Sequence, residues 1–188
     1  MINTEMKSYK ESIIKQFEYY KLLGDKTFGQ LENKDIQWQY NNESNSIAII
    51  VKHIVGNMLS RWTNFLTEDG EKDWRQRDTE FEYPYFSKDD MIASWEKGWD
   101  CLFNAVKPLQ DDDFSRIIYI RNQGHTVIEA INRQLAHYSY HVGQILFLGK
   151  MIKGEHWKSL SIPKGSSIKY NKDKLAKDKE RKHFTDDL

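Results

Sequence analysis

Four stretches of this chain repeat their apolar residues with the period of an α-helix, and that patterning narrows the fold more than any other feature. The first runs from about Thr4 to Leu31, with Met6, Tyr9, Ile13, Phe17 and Tyr20 on one stripe. The second starts near Ser46 and carries Ile47, Ile50, Ile54, Met58, Trp62 and Phe65. The third opens at "SKDD", where Ser87 is a capping residue and Asp90 sits three positions on. Ile92, Trp95, Trp99, Leu102 and Val106 follow, and Pro108 ends the helix because it lacks an N–H and clashes with the preceding turn. The fourth opens at "HTVIE", where Thr126 and Glu129 form a capping box. Its stripe of Ile128, Ile131, Leu135, Tyr138, Val142, Ile145 and Ile152 reaches Gly154. Three long amphipathic helices and a fourth of mixed polarity predict an all-α four-helix bundle.

The connections add detail. Residues 67–86, "TEDGEKDWRQRDTEFEYPYF", make a long crossover after the second helix, and loops of that length are often functional. Residues 109–125 include "RIIYIRNQ", a short extended segment. The last residues, "NKDKLAKDKERKHFTDDL", are almost all polar and read as a solvated tail or loose helix. The expected organisation is one bundle domain over 1–170 and a polar tail over 171–188.

Charge and cysteine usage set the context. Lys plus Arg and Asp plus Glu both number 28, which leaves no basic excess for phosphates and argues against nucleic acid as a partner. The single Cys101 forbids an internal disulfide and suits a reducing compartment. The N-terminus is polar and periodic, and the longest apolar run, "IAIIV", is far too short to span a membrane. These features predict a cytoplasmic protein without a membrane partner.

Several polar residues fall where apolar ones belong. On a wheel centred on Ile54, His53 lies about 100° off, Asn57 about 60° and Arg61 about 20°. This i, i+4, i+8 row drifts into the buried stripe, and burying Asn or Arg without a partner is costly. A solvent- or ligand-filled pocket would remove that cost. A carboxylate of the "RQRDTEFE" loop, Asp78 or Glu80, is the structural alternative for Arg61. On a wheel centred on Tyr138, His137 lies about 100° off, His141 about 60° and Gln134 about 40°, all on one side. Both helices therefore carry histidine on the shoulder of the core face. An H-x-x-x-H pair alone is more often a core or surface pair than a metal pair. With His53 added, three imidazoles from two helices make a facial set that leaves a coordination position open, as in catalytic sites.

The other candidates have plainer readings. Cys101 beside Trp99 and Leu102 is a buried structural thiol, since nothing basic flanks it. Arg75, Arg77 and Asp78 read as part of an exposed, salt-bridged loop. His125 precedes the fourth helix, while His156 and His183 read as solvent-exposed. No Gly-rich phosphate loop and no H-E-x-x-H motif occurs.

The histidine of "IVKHIVGN" and the pair in "LAHYSYHVGQI", with its "HVGQI" ending, resemble the DinB/YfiT-like superfamily of metal-binding four-helix proteins over most of residues 1–155. "HIVGNMLSRWTNFLTEDGEKDWRQRDTEFE" together with "WKSLSIPKGSSIKYN" looks like an uncharacterised bacterial branch of it. The resemblance implies a bundle with a long crossover after the second helix, and often a homodimer. It implies one divalent metal, commonly zinc or nickel, on His53, His137 and His141. Relatives include transferases that use bacillithiol or mycothiol, and a maleylpyruvate isomerase.

Two functional expectations follow. One is a metal-dependent S-transferase or hydrolase acting on a small electrophilic substrate. In it a low-molecular-weight thiol or water attacks, and Asn57 and Arg61 line the pocket. No dedicated general base stands beside the three histidines in the sequence. The other is a non-catalytic metal-binding stress or interaction protein of the same fold.

Overall fold

The computed structural model describes residues 4–82 and 85–187; residues 83 and 84 of the expected crossover lie outside them. Five helices follow in order: α1 (Thr4–Phe28), α2 (Ile47–Trp62), α3 (Lys88–Val106), α4 (Val127–Lys153) and a short α5 (Ser167–Leu175). A two-stranded antiparallel hairpin, β1 (Ile117–Ile120) and β2 (Gln123–Thr126), sits before α4. The fold is an all-α bundle in which α2 packs along α3 and α1 along α4, with α2 also against α4. Among the described residues no helix is long and apolar enough to cross a membrane.

Local chemistry sets the helix ends. The side chains of Ser46, Ser87 and Thr126 accept from the backbone N–H groups of Ile49, Asp90 and Glu129, each satisfying an otherwise orphaned donor. Thr126 and Glu129 form the reciprocal capping box. Gly154 ends α4 with φ +53°, a conformation that glycine adopts without steric cost. Two helices stop short of their apolar stripes. In α1 the N–H groups of Gln30 and Leu31 turn to the carbonyls of Thr27 and Phe28, so the helix closes at Phe28 rather than Leu31. In α2, Asn64 takes φ +49° just after the end at Trp62. Phe65 is still buried and meets the Trp62 ring edge-on at 5.3 Å, so its apolar character reports burial rather than helix.

The core lies where the four long helices meet. Phe17, Trp95, Trp99 and Tyr138 have no exposed surface and touch in a chain of edge-on and tilted ring contacts. Burying such rings supplies most of the driving force, about 1.5–3 kcal/mol for each large apolar side chain. Helix α2 is central: nearly all its residues are buried, on every face. A helix covered all round must place even its polar row against protein, which is why His53, Asn57 and Arg61 are all buried.

The two long connections are tied together. The crossover from Thr63 to Ser87 contains a 3-10 turn, Asp78–Phe81, packed on α2. Asp69 accepts at 2.8 Å from the backbone N–H groups of both Arg121 and Asn122, the two positive-φ residues at the hairpin tip. That carboxylate offsets the strain of two non-glycine residues in the left-handed region. The Gly70 N–H bonds the Tyr119 carbonyl at 2.8 Å. The polar C-terminal segment returns along α1, where Lys15 pairs with Asp186 and the Phe184 ring meets Tyr19.

Candidate metal centre

His53 projects from the second turn of the buried α2, and His137 and His141 from successive turns of α4. The antiparallel approach of these helices brings the three rings together, with centroids 4.7–5.5 Å apart. The Nε2 atoms converge: His137 Nε2 lies 3.4 Å from His53 Nε2 and 3.1 Å from His141 Nε2. Nitrogens bound to one tetrahedral ion at about 2.0–2.1 Å stand about 3.3 Å apart, so this spacing fits a shared cation. These three are the one group of three or more His, Cys, Asp or Glu residues among the described residues placed to hold a metal.

The outer nitrogens fix the tautomers. A carboxylate oxygen only accepts, so His53 Nδ1 donates its hydrogen to Glu80 Oε2 at 2.9 Å. His141 Nδ1 donates to Gln144 Oε1 at 2.8 Å, while Gln144 Nε2 donates to the Tyr140 hydroxyl at 3.0 Å. In the neutral rings the lone pairs of His53 and His141 are then both on Nε2 and point at the common centre. Either a hydrogen on His137 Nε2, which lies 3.1 and 3.4 Å from them, or a cation shared by all three nitrogens relieves the repulsion between these lone pairs. Burial, with His141 and His53 alongside, pushes the His137 pKa down to about 3, and burial likewise lowers that of His141. Both rings are thus held in the neutral form that binds a metal. His53 is buried, whereas His137 and His141 are half-exposed, so the cluster lies between core and surface.

The crossover supplies what sequence reasoning missed. Glu80 is buried and held by Arg75 at 2.8 and 3.0 Å as well as by His53. Burial alone would raise the Glu80 pKa, but the hydrogen bonds from His53 and Arg75 overcome this and lower it. Lys52 donates to the carbonyls of Thr79 and Glu82, pinning the same turn to α2, and the Phe81 ring stacks on His53 at 5.2 Å. This corrects the reading of an exposed loop for Arg75, whose side chain is only 2% exposed, whereas Arg77 and Asp78 do face solvent. The signal was Gly56, a glycine in the middle of a buried helix. A Cβ there would sit 2.8 Å from Glu80 Cδ, so its absence makes room for the carboxylate.

Beyond the triad, Asn57 Oδ1 accepts from the Tyr138 hydroxyl at 3.0 Å, and that hydroxyl accepts from Trp62 Nε1 at 3.1 Å. Arg61 meets neither Asp78 nor Glu80. Its Nη1 donates to the Gly70 carbonyl and to Ser60 Oγ, and Glu71 lies 3.4 Å from both terminal nitrogens. Only Arg61 Nε is left, buried and without a partner, as is Gln134 Oε1. Cys101 is half-buried, 3.7 Å from Thr63 Oγ1. His125 lies 3.3 Å from Arg133, and His156 is exposed. His183 is half-buried, 3.2 Å from Ser12, rather than solvent-exposed.

The sequence matches the family described as "Protein of unknown function (DUF1572)" over residues 4–166. The chain belongs to that family. The match covers all four long helices, the crossover and the three histidines. No curated protein matches the chain.

Proposed function

We propose that this DUF1572 protein is a metal-dependent enzyme of the DinB/YfiT-like kind, an S-transferase or hydrolase acting on a small electrophilic substrate. The reading rests on one observation: three Nε2 atoms converge while the outer nitrogens of His53 and His141 are held by Glu80 and Gln144. His53, His137 and His141 would hold one divalent ion, zinc or nickel by the preference of imidazole ligands. A bound ion of this type lowers the pKa of a coordinated water or thiol and so supplies a nucleophile at neutral pH.

The protein's own residues do the rest. Glu80 and Gln144 orient two of the rings, the usual task of outer hydrogen-bond partners. Glu80 is committed to His53 and Arg75, so it serves as an orienting carboxylate rather than a free base. Three protein ligands leave room for a small molecule, and a low-molecular-weight thiol is the proposed cosubstrate. Asn57 and Arg61 lie one and two turns from His53 on the same row and are the proposed lining of the pocket. With its terminal nitrogens occupied, Arg61 offers Nε and positive charge rather than an open carboxylate fork. The proposed setting is the cytoplasm, and the proposed assembly a homodimer.

The deciding experiment is metal analysis of untagged protein, followed by thiol-transfer and ester-hydrolysis screens with and without chelator. About one metal per chain and a chelator-sensitive turnover are expected. Stoichiometric metal with no turnover and no exchangeable water at the ion would favour the non-catalytic alternative. Protein that takes up no divalent metal at neutral pH removes both readings.

A further inference from the structure

The C-terminal segment does more than cover α1. Gln30 clamps it at both faces of one residue: the Lys158 N–H donates to Gln30 Oε1 at 2.8 Å, and Gln30 Nε2 donates to the Lys158 carbonyl at 3.0 Å. Trp157 packs over Gly149 of α4, where a Cβ would come within 3.2 Å of its ring. From there the chain leaves the bundle, forms α5 and comes back to α1 at Phe184 and Asp186. The segment therefore arches over α1 instead of packing flat on it.

Under the arch is a cavity of about 800 Å³ lined by Tyr19, Leu160, Ile162, Pro163, Tyr170 and Phe184. A second hollow of about 270 Å³ shares Tyr19 and Leu160 with it and continues to Leu23, Leu146, Phe147 and Trp157. These walls are incompletely covered: Ile162 and Tyr170 are each 43% exposed, Phe184 62% and Phe147 64%. Concave apolar surface of this volume is what small-molecule sites are made of, and apolar surface left in water is unfavourable unless something covers it.

The charge around it has one dominant sign. Lys26 and Lys169 line the larger cavity and Lys150 the smaller, against the single carboxylate of Asp173. None of the three lysines has an ion-pair or side-chain hydrogen-bond partner among the described residues. An apolar trough flanked by unpaired ammonium groups is complementary to an anionic amphiphile.

We propose that the arch of residues 157–184 forms a second ligand site, separate from the histidine cluster, that takes one monomeric aliphatic carboxylate. The alkyl chain lies along Leu160, Ile162, Tyr170 and Phe184, and the carboxylate meets Lys26 and Lys169.

The test is calorimetric titration of the full chain with octanoate, decanoate and dodecanoate, each below its micelle concentration, and with dodecyltrimethylammonium as the cationic control. One carboxylate should bind per chain, with affinity rising about fourfold per added methylene. The cationic amphiphile should bind at least tenfold more weakly than dodecanoate. Ile162→Asp should abolish binding, and Lys169→Glu, at an exposed position that keeps the fold, should weaken dodecanoate at least tenfold. His137→Ala should bind as wild type does, which separates this site from the metal reading. The proposal is overturned by absence of saturable one-to-one binding, by affinity independent of chain length or head-group charge, or by variants that bind like wild type. It is equally overturned if only anionic phospholipid vesicles bind, or if self-association of the chain at rising concentration excludes dodecanoate.

Discussion

Glu80 Oε2 accepts the Nδ1 hydrogen of His53 across 2.9 Å, joining a turn of the crossover to the second turn of the most buried helix. The contact orients one imidazole of the histidine cluster, and Arg75 holds the carboxylate from the other side at 2.8 Å. Outer partners of this type typically change metal affinity by about 10–100-fold. Glu80→Gln is therefore expected to weaken zinc binding by about 10-fold or more, measured by competition with a chromophoric chelator. Gly56→Ala, which drives a methyl group into the Glu80 carboxylate, should reproduce that loss without touching a ligand. If both variants bind zinc as tightly as wild type, Glu80 does not orient the site.

Much of this arrangement is legible in the amino-acid order, and the remainder is hidden for a physical reason. The caps at Ser46, Ser87 and Thr126, the stripes centred on Ile54 and Tyr138, and the inward shoulders carrying His53, His137 and His141 are local features. Helical period alone brings them out. The partners of His53 and Arg61 are set by how the crossover folds back, and that path has no period to read. Arg61 shows this well: Asp78 and Glu80 are the structural alternative that the sequence offers to a pocket ligand, yet the carboxylate beside Arg61 is Glu71, and Asp69 just before it anchors this turn to the hairpin tip. Gly56 carried the missing information, as a costly residue in a buried helix beside the His53 row.

The contacts of Arg61 turn its role into a measurable stability effect. Its guanidinium joins α2 to the crossover at Gly70 and Glu71, and Glu71 also pairs with Arg121 at 2.9 Å. Arg61→Met removes the charge-assisted bonds but leaves Gly70 O with its bond from Ser60 Oγ at 2.6 Å, and Glu71 with Arg121. The expected cost is about 1–3 kcal/mol in chemical denaturation. Zinc stoichiometry should be unchanged. An undiminished midpoint would mean that the bridge to the crossover contributes nothing and that the side chain is kept for ligand binding alone.

The tail from Asn171 makes only surface contacts with α1. Lys15–Asp186 and the Phe184–Tyr19 pair are partly exposed, and exposed ion pairs contribute little. Truncation after Tyr170 is expected to shift the thermal midpoint by about 3 °C or less. The same truncation removes Phe184 from the cavity wall, so dodecanoate affinity should fall in a protein that stays folded. A large loss of thermal stability would mean that the tail is part of the bundle.

Acid should destabilise the metal-free protein in a defined window. The His137 pKa is held near 3 by burial and by the rings of His141 and His53, against an ordinary 6.5. Between those values the unfolded chain binds a proton that the folded chain does not, so stability rises with pH and is lost as pH falls below about 6.5. His141, shifted the same way by burial, adds to the slope. Glu80 acts at the lower end: its carboxyl is depressed in the fold, so its contribution is complete above an ordinary carboxylate value and disappears as pH falls through the folded one. Thermal midpoints of chelated protein between pH 7.5 and 4.5 should therefore decline steadily, with the steepest part below about 6.5. His137→Gln should flatten that decline, because it removes the largest of these proton differences. Metal-loaded protein should start from a higher midpoint and fall more steeply, since protons then also compete for the ligand nitrogens. Identical profiles with and without zinc would show that no ion is held by these imidazoles, and a His137→Gln profile parallel to wild type would show that His137 is not kept neutral by the fold.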